Sequence, residues 1–245
     1  MKWTKGDTGL IHNPKLTMAE ADGLLGLPVL PWLHMIAGRV DEKKGRLAVD
    51  GRPLSVQYMA GVIPDFGAAY IERGIASLAS LGILEESGGV FSIAQWAERN
   101  DATGYRWVCL DTRMPGNLKF TQAYHGGAEG LGFTPWLILQ AGFIDDSGRL
   151  SAGPEPARAA ELASGIPGAT AEDIGNCIAS LLAVRTLALR DGVPVFVNWS
   201  HWLPDGWAER GHENRKPSDS PEARRARKAK SRARRASIDG AAPEA

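Results

Sequence analysis

Apolar side chains in the first hundred residues fall into short runs whose spacing switches between the helical and the extended period, and the switches mark the elements. Trp3 to Asp7 reads as a short strand, and Asn13-Pro14 as a turn. Thr17, with Glu20 three positions on, has the form of a capping box, so a helix is expected from there through Leu24-Leu25. Pro31 suits the first turn of a second helix, on which Leu33, Ile36, Ala37 and Val40 recur at helical spacing. A turn over Asp41 to Gly45 leads to a short strand, Arg46 to Val49. Pro53 is expected to open a helix carrying Leu54, Tyr58, Met59 and Val62 on one side. Asp65 is placed as the N-cap of a longer helix, 66–81, whose Ile71, Ile75, Leu78 and Leu81 form one buried face. Gly82 ends that helix, and Ile83 to Ile93, turning at Ser87-Gly88-Gly89, reads as a hairpin.

The second half of the chain echoes the first. At an offset of 104 positions Trp3 matches Trp107, Asp7-Thr8 matches Asp111-Thr112, Asn13 matches Asn117, Lys15 matches Lys119, and Pro31-Trp32-Leu33 matches Pro135-Trp136-Leu137. After one residue is lost in a turn the offset becomes 103. Gly45-Arg46-Leu47 then matches Gly148-Arg149-Leu150, Ile63-Pro64 matches Ile166-Pro167, Ile75 to Leu78 matches Ile178 to Leu181, and Trp96 matches Trp199. A period of this length means two copies of one domain, not a solenoid. Helices are expected near 121–130, 134–142, 155–164 and 169–183, with a hairpin from Val184 to Val197. In each copy the order is that of a winged helix-turn-helix. The expected fold class is mainly α with small β hairpins: two tandem winged helix-turn-helix domains, 1–100 and 105–209, a linker at 101–104 and a disordered basic tail at 210–245.

Charge sharpens the tail. The whole chain sums to zero, with 28 basic and 28 acidic residues. Residues 1–209 hold 17 Lys+Arg and 23 Asp+Glu (net −6), residues 210–235 hold 11 and 3 (net +8), and the last ten hold two acids. A mildly acidic body with a strongly basic tail points to a polyanionic partner for the tail. Pro217 to Pro221 reads as a linker ahead of Arg224, Arg225, Arg227, Lys228, Lys230, Arg232, Arg234 and Arg235. That run has almost no apolar residue with which to pack. On a phosphate backbone it would release counterions and bind without regard to sequence, although RNA or an acidic protein would suit it equally. No apolar run reaches the ~18–20 residues of a membrane span, and the polar N-terminus is unlike a signal peptide, so a soluble, cytoplasmic protein is expected. Cys109 and Cys177 have no ligand spacing and read as buried free thiols.

On Trp3, Lys5, Asp7-Thr8, Asn13-Pro14-Lys15, Gly45-Arg46-Leu47 and the closing Ile93-Ala94-Gln95-Trp96, the first copy resembles the N-terminal winged-helix domain of phage replisome-organiser and replication-initiation proteins. The second copy carries the same pattern on Trp107, Leu110-Asp111-Thr112, Asn117, Lys119 and Asn198-Trp199, with Leu118 where the first has Pro14. The resemblance implies the winged-helix fold, DNA binding, and a role in replication initiation or transcriptional regulation in a phage or mobile element.

The residues expected to meet DNA follow from the two longer helices. Ala69, Arg73 and Ser77 on the first, and Thr170, Asn176 and Ser180 on the second, lie opposite the apolar stripes. Arginine reads guanine and asparagine reads adenine through paired hydrogen bonds. Lys43, Lys44, Arg46, Arg52, Arg149, Arg158 and Arg190 are candidate phosphate contacts, joined by the eight basic residues of the tail. The five histidines have no metal-ligand spacing, and no P-loop or nucleophile-elbow motif occurs. No enzymatic activity, metal, cofactor or small-molecule substrate is therefore expected. Double-stranded DNA is the expected partner, with a host or phage replication protein beside it. The rival reading is an adaptor that docks a host protein on its acidic body and touches nucleic acid through the tail alone.

Overall fold

The computed structural model describes residues 3–101, 107–144, 147–151 and 155–203. The basic tail, Asp145-Asp146 and all but the first residue of the expected linker lie outside the described residues.

Strand β1 (Trp3–Asp7) ends where the Asp7 carboxylate accepts from the Gly9 N–H and turns the chain. Helix α1 (Pro14–Ala21) then begins earlier than expected. Its cap is Asn13, whose Oδ1 accepts from the Lys15 N–H at 2.9 Å, with Pro14 in the first turn. The extended Asn13 side chain satisfies one orphan amide, and Pro14 has no N–H to strand. Thr17 is therefore interior, its hydroxyl donating to the Asn13 carbonyl, and Leu24-Leu25 lies past the helix end. The partner helix in the second copy keeps this cap even without the proline: Asn117 Oδ1 accepts from the Lys119 N–H at 2.9 Å, and the helix runs over Leu118–His125 instead of 121–130.

Helix α2 (Leu30–Val40) is buried continuously from Leu30 through Gly38. Strands β2 (Ala48–Val49) and β3 (Arg52–Pro53) form a tight antiparallel pair. Pro53, expected to start a helix, sits instead on this small edge, where its missing N–H costs no ladder bond. The next helix, α3 (Val56–Val62), is capped by Ser55, whose hydroxyl accepts from the Tyr58 N–H. Helix α4 (Ala68–Ser80) has Gly67, not Asp65, at its N-cap. Strands β4 (Leu84–Ser87) and β5 (Val90–Ile93) form the expected hairpin around Gly88-Gly89. Arg46 bridges to Ser92 on its free edge, and α5 (Trp96–Asp101) closes the copy.

The second copy runs β6 (Trp107–Asp111), α6 (Leu118–His125), α7 (Thr134–Ile144), α8 (Ala159–Ala163), α9 (Ala171–Ala183), β7 (Leu187–Arg190) and β8 (Val193–Phe196). Helix α8 is shorter than the expected 155–164. Equivalent details recur: Arg149 bridges to Val195, and the Ala157 N–H donates to the Leu150 carbonyl as the Leu54 N–H does to that of Leu47. Among the described residues the fold is thus mixed α and β, helices joined by four small antiparallel strand pairs.

The copies do not stand apart. All the described residues fall in one compact unit, so the expected boundary at 101–104 separates no independent bodies. A single apolar core runs through both copies. Strands β1 and β6 pair antiparallel, with Trp3 opposite Asp111, Asp7 opposite Trp107, and Lys5 opposite its own equivalent, Cys109. The buried Trp32 indole donates to the Gly132 carbonyl at 2.7 Å, and Trp136 donates to that of Pro28, the equivalent residue, at 2.8 Å. The His12 N–H donates to Gly165, and the Gly116 N–H donates to Val62; these positions exchange under the same operation. Such self-complementary pairing is the signature of a two-fold axis, here an internal pseudo-dyad. It also explains why α2, from Leu30 to Gly38, and α7, from Thr134 to Gly142, are buried on every side: each is covered by its own copy and by the other.

Asp65 breaks the symmetry. It adopts the left-handed conformation (φ 64°), and its carboxylate accepts from the Gly132 N–H at 2.6 Å. The mirrored position pairs Gly168 with Pro28, which has neither carboxylate nor N–H. Burial raises the Asp65 pKa, with Glu129 and Asp173 adding to the rise against amide bonds from Gly132 and Gly130. The folded protein therefore holds this proton more tightly than the unfolded chain, and its stability falls as pH rises from the ordinary carboxylate value through the raised one. Asp65→Asn keeps the acceptor, suits the left-handed backbone and removes the charge. Its expected effect at neutral pH is a small gain, below about 1 kcal/mol because solvent reaches the half-buried group, and the gain shrinks toward pH 4. Asp65→Ala loses the acceptor and is expected to cost ~1–3 kcal/mol. Denaturant melts at two pH values test both; a destabilised Asn variant at pH 7 contradicts the assignment.

Among the described residues no helix is long and apolar enough to cross a membrane.

Candidate nucleic-acid interface

In each copy a short helix, a sharp turn and a thirteen-residue helix precede the hairpin: α3 and α4 in the first, α8 and α9 in the second. What holds each long helix in place is close backbone approach. Gly26 (φ 78°) lies against α4 so tightly that a Cβ there would come within 2.5 Å of Gly74 Cα. Gly130 (φ 74°) does the same against α9, at 2.5 Å from the Cys177 nitrogen. A side chain at either position would clash with backbone, and glycine alone takes that conformation without strain. Lys15 adds a cation at the far end of α4, its ammonium donating to the Leu81 carbonyl, where the helix dipole favours positive charge.

The outer face of α4 carries Ala69, Glu72, Arg73, Ala76 and Ser80, all exposed. Ala69 and Arg73 therefore stand where the sequence placed them. Ser77 does not: it is 7 % exposed and packs inward beside Leu78. Ser180, its equivalent, is likewise buried, with its hydroxyl donating to the Glu129 carbonyl at 2.8 Å. Both serines sit at the edge of the apolar arc, and the loop carrying Gly26 or Gly130 widens the covered face beyond what the stripe alone shows. Neither is open to a base.

Two further positions on the second helix are occupied by internal bonds. Thr170 is the N-cap of α9, and its hydroxyl accepts from the Asp173 N–H while donating to the Asp173 carboxylate. The Asn176 amide donates to Glu129 Oε2 at 3.1 Å. Asn176 is the equivalent of Arg73, so the same place holds a cation in one copy and a carboxylate-bound amide in the other. The sequence carried no sign of Glu129, which reaches α9 from a loop 47 positions earlier.

The basic candidates divide in the same way. Lys43 and Lys44 are exposed in the turn after α2, Arg52 on β3, and Arg190 at the end of β7 beside the second hairpin turn. Arg46 and Arg158 are engaged: Arg46 with Asp41 at 2.6 Å, and Arg158 with Glu161 through two nitrogens. Arg149 is half-buried at its bridge to Val195. Acidic side chains share the surface, with Glu85 and Glu86 exposed on β4 and Glu172 on α9. Arg224 to Arg235 lie outside the described residues.

Both cysteines are buried, and burial pushes the Cys177 thiol well above its ordinary pKa, so it stays protonated. Tyr70 on α4, stacked on Phe66 at 4.9 Å, is pushed up to about 12 by burial first and Asp173 second. Phe66 in turn meets Phe133 of the second copy edge-on at 5.6 Å. These groups build the junction between copies and leave the outer face of α4 as the open surface. No family model, curated protein or solved structure matches the chain.

Proposed function

We propose that the protein binds double-stranded DNA through two winged helix-turn-helix units, with the basic tail as a sequence-independent grip. The observation that carries this reading is the α3–turn–α4–hairpin order with Arg73 on the open face of α4, repeated as α8–turn–α9–hairpin. A helix held out on a turn in this manner suits a major groove, and the adjoining hairpin suits the flanking backbone. Lys43, Lys44, Arg52 and Arg190 serve as phosphate contacts, which position but do not specify. Arg73 is the strongest base-reading side chain. The biological role we assign is replication initiation or transcriptional regulation in a phage or mobile element, on the resemblance of both copies to replisome-organiser domains.

The test is selection from a random duplex pool with the full chain, followed by Arg73→Ala. Loss of one good arginine–guanine contact is worth ~1–3 kcal/mol, about 5- to 150-fold in affinity for the selected duplex, while binding to random duplex stays unchanged. A chain that selects no sequence over the pool overturns the base-reading role.

One observation favours a second reading. The α9 face shows Glu172, and its Asn176 and Ser180 are bonded to Glu129. An acidic surface of that kind suits a basic protein better than a phosphate backbone, and makes the second copy an adaptor surface. A chain cut at Pro217 that loses all DNA binding, while it still captures a host replication protein, supports this reading over the first.

A further inference from the structure

We infer that the two copies read one pseudo-palindromic site: two inverted half-sites at fixed spacing on a single duplex, with a different base sequence in each arm. The inference rests on the DNA-binding reading above and specifies its target.

Three sets of reciprocal contacts set the symmetry. The β1–β6 register places Lys5 against Cys109 at its centre. The indoles of Trp32 and Trp136 exchange partners across the same axis, as do the His12–Gly165 and Gly116–Val62 bonds. A protein two-fold superimposes on DNA only through a DNA two-fold, and a direct repeat, generated by translation, does not match it. A chain with two modules on a flexible linker would accept either arrangement. This chain does not have that freedom, because both copies share one core.

The two long helices also approach each other where they begin. Turn Leu27–Val29 packs against α4, turn Leu131–Phe133 packs against α9, and these two turns pack against each other. A Cβ at Gly168, just before α9, would stand 3.7 Å from the Tyr70 hydroxyl near the start of α4. The starts of the two helices therefore meet near the pseudo-dyad, an arrangement that suits one duplex read in two adjoining arms. Each helix is ~20 Å long, and successive major grooves on one face of DNA are ~34 Å apart.

The arms differ because the copies differ. Arg73 and Asn176 occupy equivalent positions, as do Ala69 and Glu172. Arginine favours guanine, and asparagine favours adenine once Glu129 releases it.

The experiment uses the full chain and duplexes recovered by selection from a random pool. The expected product is an inverted pair of unequal half-sites. Inserting 5 bp between them turns one arm to the opposite face of the duplex, and affinity is expected to fall at least tenfold. Arg73→Ala is expected to relax base preference in one arm only. Enriched direct repeats, or an inverted pair that tolerates the 5-bp insertion, overturn the inference while leaving DNA binding intact. No enrichment at all overturns both, and the two failures are thereby distinguished.

Discussion

Replacing the eight basic side chains from Arg224 to Arg235 with glutamine is expected to flatten the salt dependence of DNA binding. Each neutralised phosphate on duplex DNA contributes about 0.9 to the slope of log K against log salt. Eight contacts therefore account for a slope of about seven, equivalent to ~10³–10⁵ in affinity between 50 and 200 mM salt. The described body has no comparable resource. Its exposed cations, among them Lys15, Lys43, Lys44, Arg52, Arg73, Lys119, Arg185 and Arg190, are interspersed with exposed carboxylates such as Glu20, Glu42, Glu72, Glu85, Glu86, Glu129 and Glu172, and none of them forms a run like that of the tail. Anisotropy titrations of a random-sequence duplex at four salt concentrations measure the slope directly. The glutamine chain should bind such DNA weakly at every salt and retain preference only for a selected site. A slope unchanged by the substitution would show that the body, not the tail, carries the phosphate contacts, and the proposed division of labour fails.

Truncating Trp32 to alanine is expected to destabilise the whole unit of both copies, not the first copy alone. The side chain is fully buried, and its indole donates to the Gly132 carbonyl of the other copy. Removing a buried aromatic of this size costs ~3–5 kcal/mol, and the orphaned carbonyl adds ~1–3 kcal/mol. Against a typical domain stability of ~5–15 kcal/mol, that is a large share. Trp136→Ala should cost a similar amount, because its bond to Pro28 is the reciprocal one. The informative readout is the number of transitions. Urea melts followed by circular dichroism and by tryptophan fluorescence should coincide in a single step for the parent chain and shift together in either variant. Two steps, of which only one moves with Trp32→Ala, would mean that the copies fold independently and that the pseudo-dyad does not bind them into one body.

Much of the local structure was legible because its causes are local. The hairpin turns at Gly88-Gly89 and Asp191-Gly192 have positive φ at both central positions, the geometry those residue pairs favour. The long helices followed from apolar residues at helical spacing, and Gly82 ended α4 as its conformational freedom predicts. Errors arose where two local signals competed. Asn13-Pro14, read as a turn, caps the helix in place of Thr17, because the proline after the asparagine is already set for the first turn. Pro53, expected to open a helix, was claimed by the β2–β3 pairing, and the helix starts after Ser55 instead.

The duplication itself, the basic tail and the helix–turn–helix–hairpin order were thus written in residue order and spacing, since each depends on neighbours a few positions apart or on simple self-comparison. The relation between the copies was not. The antiparallel β1–β6 register, the exchanged Trp32 and Trp136 bonds and the turn of Asp65 toward Gly132 join residues 67 to 108 positions apart. The burial of Ser77 and Ser180 and the capture of Asn176 by Glu129, 47 positions away, were likewise not written in local spacing. A stripe of apolar residues states which side of a helix is covered, but the width of the cover depends on what lies against it. That neighbour arrives only when the chain folds back on itself, so the tertiary structure alone decided which side chains of the two long helices remain open.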